Sequence, residues 1–248
     1  ELFLKRLQFL QLSLIAVDEA HCISEWGYDF RPSYLKIADL REMYPDVPIL
    51  ALTASATPDV VSDIKDKLLF RTPSNMFQAS VERNNLHYVV RMSDNKDAQL
   101  YKILIAVQGS AIVYTRTRDG AEKVAKMLQS MDLSANYYHA GLEANERRER
   151  QNSWMSGETR VLCATNAFGM GIDKADVRVV VHYDIPDALE QYYQEAGRAG
   201  RDGERAYALL LTDGSERQRI SSRMVQQFPK IDYVRNVYEH LCYFFCKI

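Results

Sequence analysis

The chain alternates short apolar runs with longer segments of helical periodicity. The apolar runs are rich in Val, Ile and Leu, which is typical of strands covered on both faces. We predict strands at residues 12–17, 49–53, 111–115, 161–164, 177–182 and 206–211. We predict helices at residues 33–44, 58–69, 96–107, 119–131, 143–155 and 189–196. This alternation predicts an α/β architecture with parallel sheets flanked by helices.

A polar, weakly periodic stretch at residues 80–96 separates two such blocks. The second block has enough predicted strands for a complete sheet, whereas the first has only two, which would leave apolar surface unpaired. We therefore predict a partial first lobe at residues 1–92, a complete second lobe at 93–213 and a helical region at 214–248. The apolar stripe of that last region comprises Val234, Val237, Tyr238, Leu241, Phe244 and Phe245.

Composition narrows the classes of function. The 248 residues are 47% hydrophobic and carry a net charge of -2, so any nucleic-acid surface is a local patch. The sequence has no apolar run of about 20 residues, which argues against a membrane span. The four cysteines are scattered, which favours a reducing environment. Cys242 and Cys246 are too few thiols for a structural zinc site, so we expect no zinc and interpret both as buried core cysteines.

Two carboxylates directly follow the first predicted strand, in the tetrapeptide DEAH that begins at Asp18. Ligands of open α/β sheets bind at the carboxyl ends of strands. In a nucleotide-hydrolysing site, Asp18 would hold Mg²⁺ through water and Glu19 would deprotonate the attacking water. A bare Asp-Glu pair is more often an exposed acidic turn, but the whole tetrapeptide after an apolar strand favours the catalytic interpretation.

Small hydroxyl residues follow the second strand, in the sequence TASAT. Thr53 and Ser55 can hydrogen-bond a polar side chain such as that of His21. The same run is also typical of a helix N-cap, with Thr57 as the cap and Pro58 as the first helical residue. Both interpretations remain open.

An aromatic-rich segment follows the DEAH tetrapeptide and contains Trp26, Tyr28, Phe30 and Arg31. These residues suit a surface that stacks unpaired bases, at roughly 1–3 kcal/mol per base. A hydrophobic plug beneath a long loop is an equal alternative for Tyr28 and Phe30. The position of Trp26 between Glu25 and Gly27 favours exposure.

Glycines and arginines mark the second block. In VLCATNAFGMGID, two glycines precede Asp173, and they either admit a ligand close to the backbone or form a tight turn. In QEAGRAGRDG, Arg198 and Arg201 lie three residues apart, so on a helical turn they would point the same way. Guanidinium groups suit phosphate oxygens, and two Gly-Arg units in tandem favour that role over a solvated surface.

Together these stretches resemble the motifs of superfamily 2 helicases, and specifically those of the RecQ family of DNA helicases. The similarity covers residues 12–212. It is carried by DEAH, CISEWGYDFRP, ALTASATP, AIVYTRTR, YYHAGL, ATNAFGMGIDKADVRVVVHYDIP and YYQEAGRAGRDG.

The resemblance implies two RecA-like lobes that hold ATP and Mg²⁺, and a motor that moves 3′ to 5′ on single-stranded and partially duplex DNA in repair and recombination. It implies a monomer without a membrane, in the bacterial cytoplasm or the nucleus. It assigns catalysis to Asp18, Glu19, His21, Arg198 and Arg201. Nucleotide contacts would come from Asp18, Gly171, Asp173, Gln194, Arg198 and Arg201. DNA binding and coupling would come from Trp26, Phe30, Arg31, Thr53, Ser55, Arg116 and His139.

One departure from the family pattern is the absence of G-x-x-x-x-G-K-[ST], since no glycine in the chain precedes a lysine. That loop cradles the phosphates of ATP, so we expect the chain to begin inside the first lobe. Two other interpretations stay open. One is a non-catalytic DNA-binding or interaction fragment, and the other is a DEAH-type RNA helicase, which the aromatic segment disfavours.

We predict that the chain by itself neither binds ATP tightly nor unwinds DNA, because it lacks the phosphate loop and its lysine. A coupled assay of ATP hydrolysis on the purified chain checks this. Steady turnover of ATP would contradict it.

Overall fold

A computed structural model describes residues 6–7, 9–25, 29–54, 56–80, 82–169 and 172–245, without the side chains of residues 227, 244 and 245. The described residues form two compact units. The first comprises the chain up to Glu82 together with Asp187–Gln194, and the second comprises Arg83–Pro186 and the chain from Glu195 onward. None of the helices in this part of the chain has the length and apolar character that a membrane crossing requires.

The first unit is built on two parallel strands. Strands β1 (Ile15–Val17) and β2 (Ile49–Ala51) pair in register along their whole length. A 3₁₀ helix (Ala20–Ile23) follows β1, and a second (Pro32–Ile37) continues into helix α1 (Ala38–Met43). Helix α2 (Pro58–Lys67) follows β2. The hydroxyl of Thr57 accepts a hydrogen bond from the Val60 amide at 3.4 Å, which confirms the predicted cap before Pro58.

The second unit is a six-stranded parallel sheet in the order β3-β8-β7-β4-β6-β5. The strands are β3 (Leu86–Met92), β4 (Ser110–Tyr114), β5 (Ala135–Tyr138), β6 (Val161–Ala164), β7 (Val177–His182) and β8 (Ala206–Thr212). Its helices before residue 187 are α3 (Lys96–Ala106), α4 (Arg118–Ser130) and α5 (Ala144–Ser156). Helix α6 (Leu189–Ala196) begins in the first unit and ends in the second, since the division falls after Gln194. Helices α7 (Glu216–Gln227) and α8 (Ile231–Phe245) follow in the second unit.

Each unit has its own core. In the first, apolar side chains of β1 and α2 pack around the buried Ile23. In the second, β4 is buried at every position, and one cluster lies on each face of the sheet. Leu100, Leu104 and Leu128 belong to one cluster, whereas Trp154 and Phe168 belong to the other. A sheet covered on both faces is the α/β arrangement that the continuous apolar runs predict.

The sequence pattern missed several elements. Strand β3 lies inside the polar stretch that we interpreted as a connection, and it pairs with β8 of the second sheet. Our range of 1–92 assigns this strand to the first lobe, but the structure places it in the sheet of the second unit. Strand β5 was also not predicted, whereas helix α7 lies in the region 214–248 that we predicted to be helical without giving its bounds. On α8, Cys242 is half-buried rather than buried, and Cys246 lies outside the described residues.

A buried ion pair joins α3 to α7. Lys96 Nζ lies 2.7 Å from Glu216 Oε1, and both side chains are 8% exposed. Lys96 also donates to the carbonyl of Tyr183 at 2.9 Å, and Glu216 accepts from Thr212 and from the Asp213 amide. Burial alone would raise the pKa of Glu216, but these hydrogen bonds outweigh it and lower the pKa to about 2. The Glu216 carboxylate therefore remains ionised at neutral pH.

We predict that Glu216→Ala lowers the free energy of unfolding of the chain by about 3 kcal/mol, because it leaves the Lys96 ammonium buried without its counter-ion. Urea denaturation followed by circular dichroism measures this. Lys123→Ala is the matched control, since its ion pair with Asp119 is largely exposed and should contribute less than about 1 kcal/mol. Equal effects of the two substitutions would contradict the prediction.

Candidate active site

The site in the first unit lies at the carboxyl edge of its sheet. Because β1 and β2 run parallel and end in register, the segments that follow them meet at the same edge. Backbone hydrogen bonds join these segments, from the Leu52 amide to Val17 at 2.8 Å and from the Ala20 amide to Leu52 at 2.9 Å. The acidic tetrapeptide and the hydroxyl run are thus neighbours in space.

Asp18 and Glu19 turn sharply after β1. The exposed Asp18 carboxylate accepts a hydrogen bond from the Glu19 amide at 2.8 Å. Glu19 adopts a left-handed conformation, with φ 50° and ψ 40°. This region is costly for a residue with a side chain, and such strain is concentrated at functional sites. The turn leaves Asp18 facing solvent with most of its acceptor capacity open, which fits a water-bridged Mg²⁺ ion.

His21 connects the two segments. It is 1% exposed, and its Nδ1 atom lies 3.0 Å from Thr53 Oγ1 and 3.4 Å from Glu19 Oε2. Burial lowers the pKa of His21, although the neighbouring Glu19 carboxylate opposes this shift. A neutral imidazole therefore lies between the acid that follows β1 and the hydroxyl that follows β2. Ser55 lies outside the described residues.

The aromatic segment is anchored by a residue that the sequence analysis did not select. Asp29 Oδ2 lies 2.5 Å from Arg31 Nη2 and accepts a hydrogen bond from the Cys22 thiol at 3.8 Å. The Arg31 amide also donates to the Cys22 carbonyl at 2.8 Å. Phe30 is half-buried, with Lys67 Nζ 6.0 Å from its ring centroid. Trp26 and Tyr28 lie outside the described residues.

His21, Cys22 and Asp29 each bring one metal-type donor atom within 4.8 Å of the others. The surroundings disfavour a metal ion there. Arg31 already neutralises Asp29, and burial raises the pKa of Cys22 to about 11, which keeps the thiol protonated. Metal ions bind the thiolate, so the three side chains form a hydrogen-bonded anchor for the loop.

Gln194 reaches the same acid. Its Nε2 atom lies 3.4 Å from Glu19 Oε2, and both residues belong to the first unit. A neutral amide donor beside Glu19 gives its carboxylate a hydrogen bond without supplying a competing charge. Glu19 is therefore approached by Gln194 and His21 at once.

In the second unit, Arg198 is turned inward. Its Nη1 atom donates to the Gly169 carbonyl at 2.6 Å, and a Cβ at Gly169 would lie 2.4 Å from Nη2. Tyr114 is fully buried beside it and donates to the Phe168 carbonyl at 3.0 Å. The glycine that we interpreted as making room for a ligand or a turn makes room for an arginine of the same unit.

Arg201 is the more open of the two arginines. Its Nη1 atom donates to the Ile172 carbonyl at 3.1 Å and lies 3.0 Å from Asp173 Oδ1, and Asp173 is 83% exposed. Helix α6 ends at Ala196, so the arginines lie on successive turns after the helix, and the expectation of a helical turn was wrong. Arg198 contacts Gly169, and Arg201 contacts Ile172 and Asp173, whereas Met170 and Gly171 lie outside the described residues.

A buried pair precedes these turns and was also missed. Glu195 Oε2 lies 2.9 Å from His182 Nε2, and the side chains are 7% and 1% exposed. The His182 ring stacks on Tyr114 with centroids 5.6 Å apart. Only the topology that places the end of β7 beside α6 could have revealed this pair, since the two residues share no local motif.

Arg116 and His139 lie at the carboxyl edge of the second sheet, after β4 and β5 respectively. The backbone amide of Arg116 donates a hydrogen bond to Asp184 Oδ2 at 2.9 Å, and Arg116 is exposed. His139 is buried, with Nε2 3.1 Å from Glu122 Oε1 and its ring stacked on Tyr137. Of the two, Arg116 is the more accessible to a ligand.

Comparisons with known proteins match this picture. A model of the helicase conserved C-terminal domain matches residues 95–203. The RecQ-like DNA helicase blm-1 of Caenorhabditis elegans is 45% identical over 92% of the chain, which spans 23% of that relative. The ATP-dependent DNA helicase RecQ of Bacillus subtilis is 44% identical over 84% of the chain, which spans 36% of it.

Solved structures show the same fold. Saccharomyces cerevisiae Dbp5 bound to RNA and ADP BeF3 superposes with a TM-score of 0.68 at 22% identity, covering 93% of this chain and 61% of that one. Mycobacterium smegmatis helicase Lhr bound to ssDNA and AMP-PNP gives a TM-score of 0.66 at 20% identity, covering 84% of this chain and 31% of that one. The fold is the parallel-sheet α/β structure of a RecA-like lobe. The matched helicase domain and the curated relatives place the chain among the superfamily 2 helicases, as a fragment. Within that class, the chain belongs to the RecQ family.

We predict that Gly200→Ala destabilises the chain more than Gly203→Ala. Both glycines have positive φ, at 62° and 85°, so both substitutions carry backbone strain of about 1 kcal/mol. A Cβ at Gly200 would also lie 2.7 Å from Asn85 Nδ2 and from Ala206 Cβ, whereas Gly203 has open space. Overpacking should add about 1–3 kcal/mol for Gly200→Ala alone. Urea denaturation of both variants checks this, and equal losses would contradict it.

Proposed function

We propose that this chain is part of an ATP-dependent 3′–5′ DNA helicase of RecQ type, which couples ATP hydrolysis to DNA strand separation in repair and recombination. The observation that carries the proposal is the contact of His21 with both Glu19 and Thr53, at 3.4 and 3.0 Å. It joins the acid suited to hydrolysis to the next strand end. The names of the relatives support DNA as the substrate and ATP as the nucleotide on which activity depends.

In this proposal, Glu19 accepts the proton of the water that attacks ATP. Its strained backbone and two neighbouring side chains, His21 and the donor Gln194, hold the carboxylate in one place, which lowers the cost of orienting it during the reaction. Asp18 would hold Mg²⁺ through water, and the ion would neutralise phosphate charge. His21 stays neutral because it is buried, so it positions Glu19 without titrating near neutral pH.

The arginines of the second unit have distinct proposed roles. Arg201 is the better candidate to neutralise charge on the γ-phosphate, since it is partly exposed and its carboxylate partner Asp173 is solvated. Arginines in this role contribute roughly 10³–10⁵ in rate. Arg198 is proposed to act beside it while supporting the backbone at Gly169. Gly171 and Asp173 are proposed to line the same nucleotide site.

DNA is proposed to contact both units. Trp26, Phe30 and Arg31 would stack or pair with single-stranded DNA, and the Asp29 anchor would pass that contact to Cys22, next to His21. Thr53 and Ser55 would carry the signal on the second segment. Arg116 and His139 would face the DNA backbone from the second unit. The partners would be single-stranded and partially duplex DNA, and the protein would act as a monomer.

In the full-length protein, Glu19→Gln should reduce ATP turnover at least about 100-fold and leave ATP binding intact, because the amide cannot take the proton of water. A coupled ATPase assay and calorimetric titration with ATP measure the two quantities. Glu25→Gln is the matched control, since Glu25 is exposed further along the same segment and should leave turnover unchanged. Normal turnover of Glu19→Gln would remove Glu19 from its role.

The same assay distinguishes the alternatives. Single-stranded DNA should stimulate turnover by the full-length wild-type protein, and matched RNA should compete poorly. A strong preference for RNA would favour an RNA helicase. DNA binding without any turnover by the full-length protein would favour a non-catalytic DNA-binding role.

A further inference from the structure

Two side chains at the start of the second unit donate hydrogen bonds to the backbone of the turns that carry Arg198 and Arg201. Arg83 Nη1 donates to the Gly197 carbonyl at 2.9 Å, and Arg83 Nη2 donates to the Gly200 carbonyl. Asn85 Nδ2 donates to the carbonyls of Gly200 at 2.7 Å and Glu204 at 2.8 Å. We name Arg83 and Asn85 the clamp, and residues 197–204 the arginine turns.

The clamp bonds backbone carbonyls in the turns that follow helix α6. The helix ends at Ala196, and the chain continues in tight turns whose carbonyls at Gly197, Gly200 and Glu204 accept from Arg83 and Asn85. The forked guanidinium of Arg83 bonds two of these carbonyls at once, which a lysine cannot do with one fixed geometry. Three carbonyls spread over eight residues are thus held by two side chains.

The backbone of the arginine turns lies close to the clamp at Gly200. Gly200 has φ 62°, and a Cβ there would lie 2.7 Å from Asn85 Nδ2 and 2.8 Å from the Glu204 carbonyl. The Asn85 carbonyl in turn accepts a hydrogen bond from the Ala206 amide at 2.9 Å, where β8 begins. Asn85 therefore bonds the turns through its side chain and the strand that follows them through its backbone.

The clamp bonds the backbone of the arginine turns, whereas the side chains of Arg198 and Arg201 bond a different segment. Arg198 and Arg201 donate to the carbonyls of Gly169 and Ile172, while the carbonyls of Gly197 and Gly200 face Arg83 and Asn85. Fixing the carbonyls on either side of each arginine restricts where its Cα and side chain can lie.

We propose that Arg83 and Asn85 are positioning residues for Arg198 and Arg201. They touch neither nucleotide nor reacting atoms, and they set the backbone from which the two guanidinium groups reach phosphate. The phosphate role of the arginines rests on the proposed function, whereas the hold on the turns rests on the contacts alone.

The test uses the full-length protein with Asn85→Ala, the isosteric Asn85→Asp, and Arg83→Lys. Each should lower kcat for DNA-stimulated ATP hydrolysis by about 10- to 100-fold with KM for ATP changed less than about threefold, since displaced arginines weaken the transition state more than binding. Asn84→Ala is the matched control, because Asn84 is exposed between the two clamp residues and should leave both constants unchanged.

Hydrogen exchange of the same proteins supplies the second readout. The amides of Gly200, Asp202 and Gly203 are hydrogen-bonded within or beside the arginine turns and should exchange faster in the Asn85 variants than in wild type or Asn84→Ala. Unchanged exchange would overturn the clamp. Faster exchange with normal kcat would overturn the positioning role. If the wild-type protein lacks ATP turnover, the proposed function and the phosphate role fail, and exchange alone decides whether the clamp holds the turns.

Discussion

The parallel pairing of strands is the constraint on which the rest of the structure depends. Parallel strands have their carboxyl ends at one edge, so residues distant in sequence meet there without any direct attraction between them. In the first unit, the register of β1 with β2 brings His21 within 3.0 Å of Thr53 across 32 positions. In the second, the same rule places Arg116 and His139 at one edge of the sheet. The chemistry of both units is thus a consequence of hydrogen bonding in the sheets.

The buried polar groups and the exposed polar groups differ in what they can do. His21, His182 and Glu195 are buried with partners, so they hold geometry. Asp18 and Asp173 are exposed, and Arg201 is partly so, which leaves them able to meet a charged ligand. The apolar packing beneath them fixes the strands, and the buried polar pairs fix the loops.

The sequence predicted the parts of the fold in which local pattern and tertiary environment agree. Strands β6 and β7 match their predicted bounds because both are buried on both faces and read as continuous apolar runs. Strand β3 was not predicted because it is an edge strand with His87 and Arg91 exposed. Its sequence therefore has the polar pattern of a connecting segment. Helix α7 lies in the region predicted to be helical, but its bounds were not predicted because its apolar residues form no long stripe.

Within the candidate site, the motifs predicted which residues would carry chemistry but did not predict which residues hold them in place. Asp29, Glu195 and Asn85 make contacts that depend on where the chain returns in space, and no spacing along the sequence encodes those distances. Conversely, the placement of Arg198 and Arg201 on one helical turn failed because the helix ends at Ala196, before both arginines, and the chain turns at Gly200 with positive φ.

The clamp also limits how the chain can change in length. Asn85 is bonded to the turns after α6, and the next residue, Leu86, already pairs with Ala206 in the sheet. An insertion of one residue between them would exchange the two faces of β3, because side chains alternate along a strand. The length of the chain is therefore fixed from Arg83 to the start of β3. A longer or shorter segment leading into β3 can be accommodated only before Arg83.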